Sequence, residues 1–345
     1  MSPPDAHRRP TMRDVGARAG VSFKTVSRVV NGEPGVSPDL TRRVQAAVAE
    51  LGYRPDQAAS TLRRGDRRTS TIGAVLTDLG NPFSALVHRA IVDVARERDV
   101  VVLAASSDEE IARERDAIAA FSARSVDGLL VMATDADHAW LDEERVRGVA
   151  IVMIDRPARG IDLDAVVSDN REGTARAVSQ LIRRGHRRIA YLGDLRTIHT
   201  ARERLAGYED ALTAAGIGVD PAIVRLDLRG GEPARAAAME LLTSSTPPTA
   251  IFAGQNLLTV GAVRALRELG LHHEIGLIGF DDIELGDLLE PGVTVVAQDA
   301  GEIGRRAAQQ LFRRIDGETS AARQRVVATR LLPRGSGEIA PRSAR

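Results

Sequence analysis

Residues 11–31, TMRDVGARAGVSFKTVSRVVN, constrain the rest of the chain most. They are the right length for two short helices with a tight turn between them. Thr11 is a natural N-cap, because its hydroxyl can accept from an amide left unpaired at a helix start. Val15 and Ala19 share one helical face, and Gly20 supplies the positive φ that often ends a helix. Ser22 caps a second helix, in which Val26, Val29 and Val30 form an apolar stripe at helical spacing. Phe23, Lys24, Thr25, Ser27 and Arg28 are left on or near its outward face. On spacing alone this is either a plain helical hairpin with a polar face or a helix-turn-helix, whose second helix presents its first residues to base edges in the major groove.

Charge distribution bears on that choice. The chain of 345 residues is neutral overall, with 47 Lys and Arg against 47 Asp and Glu. Residues 1–68, however, carry 13 basic and 7 acidic side chains, and the remainder carries 34 and 40. A basic end on an acidic body suits phosphate binding at that end. The length predicts two or three domains. With aromatic residues at 3%, the cores must be built from Val, Leu, Ile and Ala. The absence of Cys excludes disulfides, iron–sulfur clusters and thiol catalysis, and it fits a reducing compartment. No apolar run reaches the ~18 residues of a membrane span, and the start, MSPPDAHRRP, is no secretory signal. A cytoplasmic protein is expected, nucleoid-associated when on DNA.

Taken in order, residues 1–10 read as a solvated tail. After Asn31 comes a loop, GEPG. A third helix then opens with Ser37 at the N-cap and Pro38 at N1. Leu40, Val44, Ala47, Val48 and Leu51 give it a buried stripe, Gly52 ends it, and Tyr53 packs at the edge. Pro55 starts the segment DQAASTLRRGDRR. Composition allows a flexible linker. Residues 57–64 also hold good helix formers, over a length too short to be stable alone in water.

From Thr71 strands and helices alternate. Apolar runs fall at 72–76, 100–104, 128–132, 151–154, 166–167, 189–192, 223–226, 250–253, 275–280 and 293–296. Helical segments lie between most of them, such as 171–184, 202–215 and 257–269. This alternation predicts parallel sheets covered by helices, and so many strands fit two sheets better than one. In such folds ligands bind beyond the carboxyl ends of the strands. That picks out Asp78, Asn81, Phe83, Ser107, Asp108, Asp155, Arg156, Asp281 and Asp282. Singly each reads as a loop residue or cap. Together they make a polar ring whose carboxylates and guanidinium can grip adjacent hydroxyls.

The run VSRVVNG, followed by VSPDLTRRVQAAVAELGYRP, a short Ala-rich segment and a strand, resembles the LacI family of bacterial transcription regulators. The resemblance runs without a gap over residues 11–62 and more loosely to 332. It implies an N-terminal all-α three-helix helix-turn-helix headpiece at 11–54 and a hinge helix and linker at 55–68. An α/β body of two subdomains, periplasmic-binding-protein-like with parallel sheets, would fill 69–340. The N-subdomain would take about 69–168 and 292–318, and the C-subdomain about 169–291 and 319–340, with crossings near Asp169, Pro291 and Glu318. It implies base contacts by Phe23, Lys24 and Arg28, and minor-groove contacts by Ala59 and Leu62 of the hinge, Leu62 wedging between base steps. Phosphate contacts would come from Thr11, Ser22, Thr25, Asn31, Ser37 and Tyr53. Effector contacts would come from Phe83, Asp155, Arg156, Arg202, Gln255, Asp281 and Gln298. Arg202 is placed by the run ARERLAGY.

The chain departs from the family at Asp56, where Asn is usual, and at Gln255-Asn256, where Asn-Asp is common. Arg229 falls near a position where sugar-binding relatives carry an aromatic, and facing the cleft it would favour an acidic effector.

The partners implied are double-stranded operator DNA, a small sugar-like effector and a second copy of the chain. A homodimer is favoured over a tetramer because no heptad repeat follows residue 332. No cofactor, metal or membrane is expected. Phosphate-loop, GxGxxG and GxSxG motifs are missing, which weighs against an enzyme. A transport-type sugar-binding protein would share the body but have no use for a basic headpiece.

Overall fold

The computed structural model describes residues 10–54, 68–134 and 137–341. It divides into two units, Met1–Thr69 and Ser70–Arg345.

The first unit holds helices α1 (Met12–Ala19), α2 (Phe23–Val30) and α3 (Pro38–Leu51). Thr11 and Asp14 form a reciprocal capping box at the start of α1, which satisfies two amide donors that would otherwise be orphaned. Gly20 ends α1 in the left-handed region at φ 62°, where a side chain would be strained. Arg43 of α3 donates to the carbonyl of Ala19 at 2.6 Å, holding that end of α1. Val15, Ala19, Val26, Val44, Ala47 and Tyr53 form the buried core, with Val29, Val30, Val48 and Leu51 packed around it. The apolar stripes expected on all three helices therefore meet in one small core.

The second unit contains two six-stranded sheets. The first is ordered β11-β5-β4-β3-β1-β2. Its strands are β1 (Thr71–Leu76), β2 (Val101–Ser106), β3 (Gly128–Met132), β4 (Ala150–Asp155), β5 (Asp164–Ser168) and β11 (Gln324–Val327), all parallel. The second is ordered β12-β10-β9-β8-β6-β7. It consists of β6 (Ile189–Leu192), β7 (Val224–Arg225), β8 (Ala250–Ala253), β9 (Gly276–Phe280), β10 (Thr294–Ala297) and β12 (Arg330–Leu332), of which only β12 runs antiparallel.

The inner strands of each sheet are buried on both faces. In the first, Ile72, Leu76, Leu130 and Ile154 pack with Ile91 and Leu311 on one side. Val75, Leu129, Val131 and Met153 pack with Ile118 and Phe121 on the other. Two-sided burial is why these strands read as continuous apolar runs rather than alternating ones. Helices pack closely where they carry glycine. A Cβ on Gly207 would lie 2.1 Å from the carbonyl oxygen of Arg171, so helices Asn170–Arg183 and His199–Ala214 approach backbone to side-chain-free backbone.

The crossings between sheets differ from the expected ones at two of three places. The first falls between β5 and helix Asn170–Arg183, at Asp169. The second was expected near Pro291, which would give the following strand to the first sheet. Instead β10 pairs with β9 in the second sheet, Val295 opposite Gly279. The chain crosses after it, before helix Ala300–Ile315, which packs on the first-sheet core through Ile303 and Leu311. The third lies between β11 and β12, not near Glu318, because Arg325 and Val326 of β11 pair with Val166 and Val167 of β5. The first and third crossings are tied together by Asp169, whose carboxylate accepts from the amide of Thr329 at 2.6 Å and from Arg176 at 2.9 Å.

Candidate DNA-reading helix and ligand cleft

On the headpiece, Phe23 is 47% exposed and Lys24 is exposed. Together with Ser27, Arg28 and Glu33 they rim a shallow surface hollow. Arg28 is folded onto the loop after α2, donating to the carbonyl of Pro34 at 2.8 Å with Glu33 at 3.7 Å. It must leave that carbonyl to reach a base. Ser27 lies beneath that hollow: it is 8% exposed, and its hydroxyl accepts from the Asn31 side-chain amide at 3.3 Å.

Thr11, Ser22 and Ser37 each cap a helix through a side-chain oxygen, and Thr25 shares a 2.9 Å hydroxyl contact with Ser22. Helix N-termini suit phosphate oxygens, and three such ends carry these side chains. Tyr53 is 8% exposed and packs in the headpiece core. Ala59 and Leu62, and the hinge around them, lie outside the described residues.

In the second unit the carboxyl ends of both sheets face one cavity of about 480 Å³, its open mouth included. Small-ligand clefts typically hold roughly 300–1,000 Å³. Six of the seven expected effector residues line it: Phe83, Asp155, Arg156, Gln255, Asp281 and Gln298. Asp155 ends β4 and Asp281 follows β9, and both have a left-handed backbone, φ 64° and 66°. That conformation is costly for a residue other than glycine and tends to mark functional sites. It turns each carboxylate off its strand end, and both residues are buried.

The seventh residue, Arg202, is displaced. Its guanidinium donates to the carbonyls of Arg196 and Thr197, both at 3.0 Å, and it is not among the residues lining the cavity. Arg204, two positions on, is the arginine in the cleft. A helix turns about 200° over two residues, so the two side chains leave opposite faces. Arg204 is 5% exposed. It donates to Asn170 Oδ1 at 2.8 Å and to the carbonyl of Gly254 at 2.9 Å, pairs with Asp281 at 3.7 Å and sits 3.8 Å from the Phe280 ring centroid. The sequence carried a signal for it. Ala201, Arg204, Tyr208, Ala211 and Leu212 form one helical phase and are all buried; Arg202 is out of that phase.

Two acidic residues in the cleft were missed by sequence reasoning. Glu109 binds both terminal nitrogens of Arg156 at 2.7 Å. Burial opposes the charge of Arg156, but those bonds and the nearby Asp155 outweigh it and raise its pKa. Asp194 enters from the loop after β6 and accepts from the amide of Leu195 at 2.7 Å. Burial pushes the carboxyls of Asp194 and Asp281 above the usual range, against the opposing pull of Arg204.

The two lobes touch across the cleft. Asn81, which caps helix Pro82–Arg96, exchanges amide hydrogen bonds of 2.9 and 3.3 Å with Asn256. Arg229, from the second lobe, donates to the carbonyl of Asp108 at 2.9 Å. It is exposed and does not line the cavity, which removes the support it would have lent to an acidic ligand. Asp282 is held by Arg334 at 2.6 and 2.8 Å and is likewise outside the cavity. Among the described residues no cluster of His, Cys, Asp or Glu could hold a metal ion, and no helix is long and apolar enough to cross a membrane.

A helix-turn-helix headpiece and a two-lobed body with a polar cleft, in one chain, define a ligand-responsive DNA-binding regulator. Comparison with known proteins gives the family. Residues 11–56 match the bacterial regulatory proteins, lacI family, and residues 178–337 match the periplasmic binding protein-like domain. The HTH-type transcriptional regulator CelR of Thermobifida fusca is 35% identical, over 96% of this chain and 100% of its own. The transcriptional regulator CelR–cellobiose complex superposes with a TM-score of 0.71 at 33% identity, over 95% of this chain and 100% of that one. The lac repressor dimer bound to operator and the anti-inducer ONPF superposes with a TM-score of 0.83 at 27% identity, over 96% of this chain and 99% of that one.

The chain belongs to the lacI family of bacterial regulatory proteins. It is a DNA-binding transcriptional regulator, and the relatives it matches are regulators rather than enzymes.

Proposed function

We propose that this chain is a cytoplasmic repressor that binds a near-palindromic operator as a homodimer, with an affinity set by a small hydroxyl-rich effector. The observation that carries the effector half is the cleft: buried Asp155 and Asp281, turned off their strand ends by positive φ, converge with Arg204 on one cavity. Carboxylate and guanidinium pairs of this kind grip vicinal hydroxyls. CelR has been solved with cellobiose and the lac repressor as a dimer on operator, which supports the same division of labour in this chain.

On DNA, Phe23, Lys24 and Arg28 read bases, and Thr11, Ser22, Thr25, Asn31 and Ser37 hold phosphates. Ala59 and Leu62 act at the operator centre, bending the duplex in exchange for further contacts. Effector in the cleft changes the placement of the two lobes and so the spacing of the two hinges. The coupling is reciprocal, so operator must change effector affinity by the same factor.

Footprinting on genomic fragments, with and without a carbohydrate panel, tests the proposal. A two-fold-related protected site whose occupancy responds to one compound is expected. Protection of a single unrepeated half-site would exclude the dimer reading. An Asp281→Ala variant that responds to effector as the parent does would exclude the cleft assignment.

A further inference from the structure

Among the described residues lining the cleft, four carboxylates, Glu109, Asp155, Asp194 and Asp281, face two guanidinium groups, Arg156 and Arg204. Both cations are already committed. Arg156 gives two bonds to Glu109 and one to the carbonyl of Ala133. Arg204 is spent on Asn170, Gly254 and Asp281. What remains open is mostly acceptor. Asp155 Oδ1 and Gln298 Oε1 are buried with no hydrogen-bond partner, and the Asp194 carboxylate accepts one bond, from its neighbour's amide. The one unpartnered buried donor in the cleft, Arg156 Nε, faces Asp155 Oδ2 at 3.4 Å.

A ligand complementary to this lining must bring donors and relieve negative charge. A hydroxyl brings one donor with two lone pairs, whereas an ammonium brings three donors and no acceptor. A carboxylate or phosphate would add like charge to a partly buried site where Coulomb terms are strong.

We propose that the effector carries a protonated amino group on its hydroxylated frame, and that Asp194 selects it. The inference rests on the reading of this cleft as the effector site. Asp194 stands at the second-lobe side of the cavity, within reach of Glu109 and of the already paired Arg156 of the first and Arg204 of its own lobe, and Asp155 lines the same cavity. A cation beside it would be held by carboxylates from both lobes and would draw them together.

The test uses the full chain at pH 7 and three matched sets: glucose, galactose and mannose, each with its 2-amino-2-deoxy and its uronic acid counterpart. Binding is read by thermal shift and titration calorimetry. In at least one set the amino sugar should bind about tenfold or more tightly than its parent, the scale of a hydrogen bond to a charged group, and the uronic acid should fail to bind. Asp194→Asn should bring the amino-to-parent ratio to near one, and Asp194→Glu should keep most of it. A uronic acid binding as well as its amino counterpart, a parent sugar binding best in every set that binds, or an unchanged ratio in Asp194→Asn would each overturn the inference while leaving the cleft a sugar site. No binding by any of the nine compounds would overturn the sugar-type reading of the cleft, and this inference with it.

Discussion

Replacing Arg204 by Ala tests the cleft at its most connected side chain. The substitution leaves Asn170 Oδ1 and the Gly254 carbonyl without this donor, strips Asp281 of its paired cation and removes a group 3.8 Å from the Phe280 ring. Removing one partner of a buried ion pair costs about 3–5 kcal/mol, because an uncompensated charge is left behind. The lost ring contact contributes up to ~2 kcal/mol of that. For a unit of this size each kcal/mol is roughly 2–4 °C in melting temperature, so a fall of roughly 6–20 °C is expected.

The cost depends on pH with a definite sign. Burial already raises the Asp281 carboxyl above its ordinary range, against the pull of Arg204 and, after it, the Gln298 hydrogen bond. Without Arg204 the folded-state pKa rises further. A raised pKa gives stability that is present below the unfolded value and lost as pH rises through the folded one. The variant should therefore sit closer to the parent protein at pH 5 than at pH 8, and Asp281→Asn added to Arg204→Ala should recover part of the loss at pH 8.

Arg202→Ala is the internal control. Its two carbonyl bonds are made outside the cavity, and its cost should stay below about 1 kcal/mol. Thermal unfolding at the two pH values decides the matter. If Arg204→Ala melts within a degree or two of the parent, or Arg202→Ala is equally damaging, the assignment of the cleft arginine is wrong.

Three further outcomes are expected. Arg28→Ala should weaken the preferred operator by roughly 1–3 kcal/mol and relax specificity at one position per half-site; equal weakening on every DNA sequence would make Arg28 a phosphate contact. Asp164 accepts from Arg314, Gln310 and the amide of Arg323 at 2.6, 3.0 and 2.9 Å. Burial alone would raise its pKa, but these bonds outweigh it and lower the pKa. Its contribution is thus present above the unfolded carboxylate pKa of ~3.9 and lost as pH falls through the folded value. The melting-temperature gap between parent and Asp164→Asn should accordingly shrink on acidification from pH 5 towards 3, and a gap that grows would contradict the network. Gly207→Ala puts a methyl 2.1 Å from the Arg171 carbonyl oxygen, while Gly218→Ala meets nothing within 4 Å. Chemical denaturation should show a loss of at least ~1–3 kcal/mol for the first and little for the second.

Much of this protein is legible in its sequence because the signals are local. The caps at Thr11, Ser22 and Ser37, the terminating Gly20 and Gly52 and the stripe Val26, Val29, Val30 act within one helical turn and place the headpiece helices. Ten apolar runs mark ten strands, most of them buried on both faces. β11 and β12 escape this reading. They are short, half-exposed edge strands, QRVV and RLL, whose burial is set by neighbours distant in sequence. The crossings went with them. Whether β10 pairs with β9 or returns to the first sheet depends on sheet order, which no local pattern encodes.

The cleft divides the same way. Asp155, Asp281, Phe83 and Gln298 could be found from strand ends and family resemblance, since those positions are fixed by the strands themselves. Arg204 over Arg202 was settled by which helical face packs on β6 and β8. Glu109 and Asp194 become part of the site only because two loops, 85 residues apart, are brought to the same cavity by separate sheets. Side-chain type and helical phase are written in the chain at short range; the charge balance of the cleft is a sum over groups that only tertiary packing assembles.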